Sequence, residues 1–283
     1  MTAAPAPGGD PVPMVQAPLL TVEGVCHTFG GLHALRDVSL AVRSGQIKAL
    51  IGPNGAGKTT LFNLITGVLA PQVGRITFLG QPVLGLPPYR IAALGIARTF
   101  QNVRLFPGMT VYEHVLVGCH RHLHSGLADA VLRSARMRRE EAAVGERARR
   151  LLERVDLSRW ADAPADSLPF GLQRVVEVAR ALATAPRLLL LDEPAAGLTP
   201  TEKVQLGTLI RSIRDDGVTV FLVEHDMDLV MGLADEVAVL DQGTLIADGP
   251  PAAVQADPRV IAAYLGELEV PDAAAVEGAA HAP

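Results

Sequence analysis

The apolar positions of this chain fall into short runs whose spacing changes along its length. From Leu19, "LLTVEGVCHTF", "VSLAV" and "IKALI" are β-branched or apolar runs separated by turn residues, and they predict strands. A helix is predicted from about Lys58 to Val68, followed by a strand at "RITFLG". The middle, about residues 101 to 185, is predicted to be largely helical. Within it, "RSARMRREEAAVGERARRLLERV" keeps apolar residues at helical spacing among mixed charges. Glu140, Glu141, Glu146 and Glu153 interrupt its arginines, so it reads as a solvated amphipathic helix and not as a nucleic-acid patch. Beyond it strands and helices alternate again: "RLLLLDE", a helix from about Thr201, "VTVFLVE", a helix from Asp226, "EVAVLDQG" and "TLIADG". Near-continuous apolar strands, each followed by a helix, predict a parallel sheet covered on both faces, with a helical block inserted into it.

The ends break this pattern. Residues 1–18, "MTAAPAPGGDPVPMVQAP", hold five prolines and no basic stretch leading into an apolar core, so a disordered tail is expected there, not a signal peptide. Residues 267–283 return to Ala, Pro and acids and are expected to be a second tail. The expected ordered unit is therefore 19–266, with an α/β core at about 19–100 and 186–266 and a helical block at about 101–185. Almost half the residues are apolar, yet no run approaches the roughly 18 to 20 residues of a membrane span. A net charge of −5 argues against a dominant electrostatic affinity for nucleic acid. Cys26 and Cys119 have neither metal-ligand spacing nor a disulfide framework, and a reduced, cytoplasmic setting is expected.

Against this background "GPNGAGKTTLFNLITG", residues 52–67, stands out, because it carries one of only three lysines in the chain. It follows the buried run "IKALI" and opens a helix, the context in which a G-x-x-x-x-G-K-[ST] pattern has meaning. Gly52, Gly55 and Gly57 permit backbone conformations that aim successive N–H groups inward as a nest for phosphate oxygens, and the helix N-terminus adds partial positive charge. Lys58 can then bridge β- and γ-phosphates, while Thr59 offers a hydroxyl to Mg²⁺. The expected ligand is a nucleoside triphosphate. In "LLLLDEP" four leucines read as a buried strand with Asp192 at its carboxyl end, where ligands collect in open parallel sheets. Asp192 is expected to hold Mg²⁺, and Glu193 to point the other way and polarise a water for attack on the γ-phosphate. His225 follows "VTVFLVE" and can approach the same phosphate. Gln101 follows "IARTF" and can couple nucleotide to the helical block. A lone histidine or glutamine of this kind is more often a satisfied surface residue.

Taken together these residues resemble the ATP-binding subunit of ABC transporters, and the order of motifs spans the chain from about Leu19 to Gly266. On that resemblance the fold is a P-loop core of ABC ATPase type with an antiparallel β subdomain and an inserted helical subdomain. "GPNGAGKTT" is the Walker A loop, including Asn54, Ala56 and Thr60, and "LLLLDEP" the Walker B strand. Gln101 becomes the Q-loop residue, also near the metal, and His225 the switch histidine. Phe29 in "HTFGG" matches the aromatic position that stacks on adenine. "FGGLHAL", "RTFQNVRLF", "EPAAGLTP", "EHDMDLVMG" and "AYLGE" look like the LivG-type subunit of branched-chain amino-acid importers, with urea and short-amide relatives much the same. The resemblance implies ATP and Mg²⁺ as cofactors, a second ATP-binding subunit, two separate transmembrane permease subunits and, indirectly, a solute-binding protein, with the chain peripheral on the cytoplasmic face of the membrane and no nucleic acid partner. Apolar residues in "QNVRLFPGM" are expected to meet a membrane partner. Two motifs depart from the family. The signature, usually L-S-G-G-Q, is "LPFGL", with Pro169 for the serine, Phe170 for a glycine, Gly171 retained and Leu172 for the glutamine; the D-loop has Thr199 for the usual aspartate. Two other readings stay open: a soluble ABC ATPase acting on DNA or ribosomes, which usually needs tandem cassettes, coiled coils or zinc modules, and a weakly hydrolysing regulatory module, favoured by the altered signature and opposed by Glu193 and His225.

Overall fold

The computed structural model describes residues 17–101, 103–122 and 135–268. β1 (Leu20–Phe29) and β2 (Leu32–Val42) form a hairpin that leads into β3 (Ile47–Ile51) and α1 (Lys58–Ile65). β4 (Val73–Phe78) and β5 (Gln81–Pro82) then return to the hairpin, making a four-stranded antiparallel sheet of order β2-β1-β4-β5. α1 stops at Ile65, three residues before the expected end: the Thr66 hydroxyl donates back to the Phe62 carbonyl oxygen, and Gly67 turns left-handed at φ 71.

α2 (Pro88–Leu94) and β6 (Ile96–Arg98) precede the helical block, whose described helices are α3 (Val111–Cys119), α4 (Ala135–Arg154) and α5 (Phe170–Ala183). α4 buries Val144, Gly145, Ala148 and Leu152 and leaves its charged positions outward, the amphipathic pattern expected of it. The core then resumes with β7 (Leu188–Asp192), α6 (Pro200–Asp215), β8 (Thr219–Val223), α7 (Met227–Leu233), β9 (Glu236–Asp241) and β10 (Thr244–Gly249), and ends in α8 (Pro251–Gln255) and α9 (Pro258–Leu268). The six-stranded sheet has the order β10-β9-β3-β8-β7-β6. Its pairings are parallel, as expected, except at the edge, where β10 pairs antiparallel with β9. The two-residue turn at Gln242 and Gly243, both with positive φ, is the physical reason: so short a link can only make a hairpin.

Alternation along each strand divides the core in two. Leu188, Leu190, Phe221 and Val223 pack toward α1 and the antiparallel sheet, while Leu189, Leu191, Val220 and Leu222 pack toward α6 and α7. The helical block has its own core around Val115, Ala148, Leu152 and Val176. β7 and β8 have no exposed residue, and each fully buried leucine or valine is worth about 1.5 to 3 kcal/mol. This rigid centre carries β3, β8 and β7 side by side, so the loops after them open at one end of the sheet. The expected tails, 1–18 and 267–283, lie almost wholly outside the described residues.

Candidate nucleotide site

β3 is buried along its whole length and releases the chain at Gly52. A Cβ on Gly52 would stand 2.0 Å from the Leu240 carbonyl oxygen, and one on Gly57 2.4 Å from that of Ala34. Backbone from β9 and β2 therefore closes on the loop at both ends, and both residues also have positive φ, 146 and 102 degrees. Gly57 is the N-cap of α1, and no side chain caps this helix. α3 and α6, by contrast, are closed by capping boxes of Thr110 with Glu113 and Thr199 with Glu202. The first-turn N–H groups of α1 are thereby presented to an anion. Lys58 is buried across the loop and donates to the carbonyl oxygens of Gly52 at 2.6 Å and Pro53 at 2.9 Å. Asn54 and Gly55 sit exposed at the tip, Ala56 is buried and its carbonyl accepts from Gly243 N–H, and Thr59 and Thr60 open the helix, Thr59 exposed.

Two strands away, β7 delivers Asp192, whose Oδ2 accepts from the Arg98 guanidinium at 2.7 Å with both side chains buried. Arg98 also donates to Asn63 Oδ1 and Thr66 Oγ1 of the α1 segment and packs against the Phe62 and Phe100 rings. Glu193, the next residue, takes a left-handed φ of 47 degrees while its N–H donates to the Val223 carbonyl. A non-glycine residue in that region is held against its own preference, a frequent condition at functional sites. Its Oε2 accepts from Gln101 Nε2 at 2.7 Å and lies 3.9 Å from His225 Nδ1. Gln101, Glu193 and His225, from three separated segments, thus meet at one carboxylate.

Phe29 ends β1 and is 46% exposed, its ring edge-on to His27 at 4.5 Å. Its cross-strand partner is Leu32, two residues before the Ala34 carbonyl that closes on Gly57, so this hairpin abuts the phosphate loop. Pro169 is the N-cap of α5 and offers no side-chain bond; its carbonyl accepts from the N–H groups of Leu172 and Gln173. Phe170 lies half-exposed with Arg174 over its ring at 5.2 Å, Gly171 is buried against Glu202, and Leu172 packs into the helical-block core. The Gln173 amide turns inward to the Leu168 and Asp166 carbonyls.

Residues 35–196 match the family described as ABC transporter, a span running from β2 through the phosphate loop to the loop after Glu193. This chain belongs to the ABC transporter ATPase family. It is an ATP-binding cassette and an ATPase. Residues 244–269 match the family described as branched-chain amino acid ATP-binding cassette transporter, a span that holds β10, α8 and α9. The chain is 47% identical over 251 residues to the high-affinity branched-chain amino acid transport ATP-binding protein BraF of Pseudomonas aeruginosa, covering 88% of this chain and 98% of that protein. The same figures hold for LivG of Escherichia coli strain K12, of the same description. Among solved structures, the ADP conformation of MJ1267, an ATP-binding cassette of an ABC transporter, matches with a TM-score of 0.78 and 33% identity over 89% of this chain and all of that one.

Sequence reasoning passed over three residues that the cassette sets around these loops. Arg98 was visible only as a charge at the end of the apolar run "GIAR". Glu224 follows an apolar strand just as Asp192 does, the same signal at the end of "VTVFLVE". It is fully buried, and burial pushes its carboxyl above the usual range against bonds from backbone N–H groups. Glu177 is buried on α5 and accepts from the Arg104 N–H at 2.8 Å, which fastens the segment after Gln101 to that helix; burial raises this carboxyl too.

Proposed function

We propose that this chain is the ATP-hydrolysing subunit of an importer for branched-chain amino acids or closely related small amides, held on the cytoplasmic face of the membrane. The names of the relatives and the C-terminal match at 244–269 support the substrate class. No described helix is long and apolar enough to cross a membrane, so transport requires separate permease subunits. A second ATP-binding subunit and a solute-binding protein complete the assembly. An apolar groove of about 600 Å³ beside Gln101, walled by Tyr89, Ile91, Phe100, Val117 and Ala181, supports permease docking next to the site. In the adjoining 101–109 segment Phe106 is exposed; Asn102 lies outside the described residues.

The observation that carries the reading is the Glu193 carboxylate between Gln101 and His225, at the same end of the sheet as the loop after β3. Lys58 and the α1 N-terminus hold the phosphates, Asn54 to Thr60 line them, and Phe29 stacks on the adenine. Among the described residues no group of three or more His, Cys, Asp or Glu is placed to hold a metal. Asp192 and Thr59 supply one carboxylate and one hydroxyl, a set that suits Mg²⁺, which takes its remaining ligands from phosphate and water. The Gln101 side-chain oxygen would be a further ligand for that ion. Mg²⁺ bound with ATP would neutralise phosphate charge. Glu193 accepts the proton of the attacking water, Gln101 fixes the carboxylate by its amide, and His225 donates toward the γ-phosphate. The stretch Pro169, Phe170, Gly171 and Leu172 is the part turned to the ATP held by the partner ATPase subunit, through Pro169, Phe170 and the Gly171 backbone, while the Leu172 side chain packs into the helical block. Glu193→Gln keeps the shape and removes the base, so it should retain MgATP binding while hydrolysis falls about 10² to 10⁴-fold. Turnover within a few-fold of the parent would assign the base elsewhere.

A further inference from the structure

Glu224 has no part in that scheme, although no atom of it reaches solvent. A buried carboxylate must be satisfied, and this one is satisfied by main chain from two different loops. Its Oε1 accepts from Ala195 N–H at 2.7 Å and its Oε2 from His225 N–H at 3.2 Å. The first loop joins β7 to α6. It begins at Glu193, ends at the Thr199 cap, and lies against the signature stretch at Gly197, where a Cβ would stand 3.0 Å from the Phe170 ring. The second loop joins β8 to α7 and carries His225 to within 3.9 Å of the Glu193 carboxylate. One side chain therefore cross-links the loop that touches Phe170 to the loop that presents His225.

We propose that Glu224 is a positioning residue for hydrolysis: its carboxylate locks the Ala195 loop to the His225 loop, so that the signature stretch and the Glu193–His225 pair take up their working positions together. The proposal rests on the roles given above to Glu193 and His225. Neither conservative replacement can make both legs of the link. Aspartate is one methylene shorter and reaches only the neighbouring N–H groups, losing Ala195. Glutamine keeps the length but turns an NH₂ group toward one of the N–H donors.

The test uses the complete transporter carrying Glu224→Gln, Glu224→Asp, His225→Ala, or Glu224→Gln with His225→Ala. Misplacement of a catalytic group by about 1 Å costs on the order of 10²-fold, so each Glu224 variant should lower kcat by about 10- to 100-fold. KM for MgATP should stay within about two-fold and the melting temperature of the chain within a few degrees, because the phosphate loop and both cores are untouched. In the His225→Ala background Glu224→Gln should cost less than about two-fold more, since coupled residues do not add. Faster hydrogen exchange at residues 195–199 would mark the broken link. Parental kcat in both Glu224 variants, a loss confined to KM, or a fully additive double variant would overturn the proposal. Parental turnover in His225→Ala alone would remove the assignment of His225, and this proposal with it.

Discussion

Arg98 fixes how Asp192 is held. The pair is buried on both sides, and the guanidinium's other terminal nitrogen, Nη1, donates to Asn63 and Thr66, so one residue joins the end of β7 to α1. A buried pair contributes little net stability against an apolar substitute, but removing one member strands the other charge, at about 3 to 5 kcal/mol. Arg98→Ala should therefore lower the urea unfolding free energy by about that amount, whereas Lys203→Ala, which removes a solvent-screened pair with Asp226, should have a clearly smaller effect. Equal effects of the two would mean that Arg98 is not doing this work. At this scale the sequence was legible wherever a residue type matched a local pattern: Lys58 after its glycines, Asp192 after its leucines. Arg98 and Glu177 act through neighbours 73 to 94 positions away, and no local pattern points to them; Glu224 shares the strand-end pattern of Asp192, but its partner stands on another loop 29 positions away.

The departure at Thr199 has an explanation at the level of the element. Thr199 caps α6, its hydroxyl accepting from the Glu202 N–H while the Glu202 carboxylate accepts from the Thr199 N–H and hydroxyl. These bonds, backbone first, hold the Glu202 carboxyl below the usual range. A group whose folded value is lowered adds stability above its unfolded pKa of about 4.3 and loses it as the pH falls through the folded value. Thr199→Ala should cost about 0.5 to 2 kcal/mol at pH 7. The gap in urea midpoint between the parent and Glu202→Gln should close as the pH drops below about 4; a gap that is unchanged at pH 3 would exclude the carboxylate from the cap. α6 was legible from the alternation of strand and helix, and α4 from its periodicity. The short α2, α8 and α9 were not, since each opens on a proline-rich turn that reads equally well as loop, and their packing against β6, β9 and β10 is what makes them helices.

For the whole molecule, the phosphate and signature roles proposed for this chain rest on stretches built to different standards. The alternation of strand and helix made the α/β core and the inserted helices legible, while the antiparallel sheet and the use of the signature came only from resemblance. The signature stretch carries no hydroxyl at Pro169 and no amide at Leu172, and the neighbouring Gln173 cannot stand in, because its amide is committed to the Leu168 and Asp166 carbonyls. What remains for a partner's ATP is the backbone at Gly171 and the N-terminus of α5. Hydrogen bonds to a charged group are worth about 1.5 to 3 kcal/mol each, so the loss of one weakens closure over that ATP by roughly ten-fold or more. Two copies of this chain would carry the defect twice. A different partner with a complete signature would carry it once, and would complete the site built on Lys58 and Glu193. The expected assembly is therefore a heterodimer of ATPase subunits in which the Lys58 site performs most of the hydrolysis and the partner's site mainly binds. Closure around ATP remains a population shift in which the weaker site supplies less of the driving force. The measurement is transporter turnover with Glu193→Gln set against the equivalent change in the partner. A much larger loss from Glu193→Gln is expected, and equal losses would mean that backbone and helix N-terminus suffice and that both sites fire.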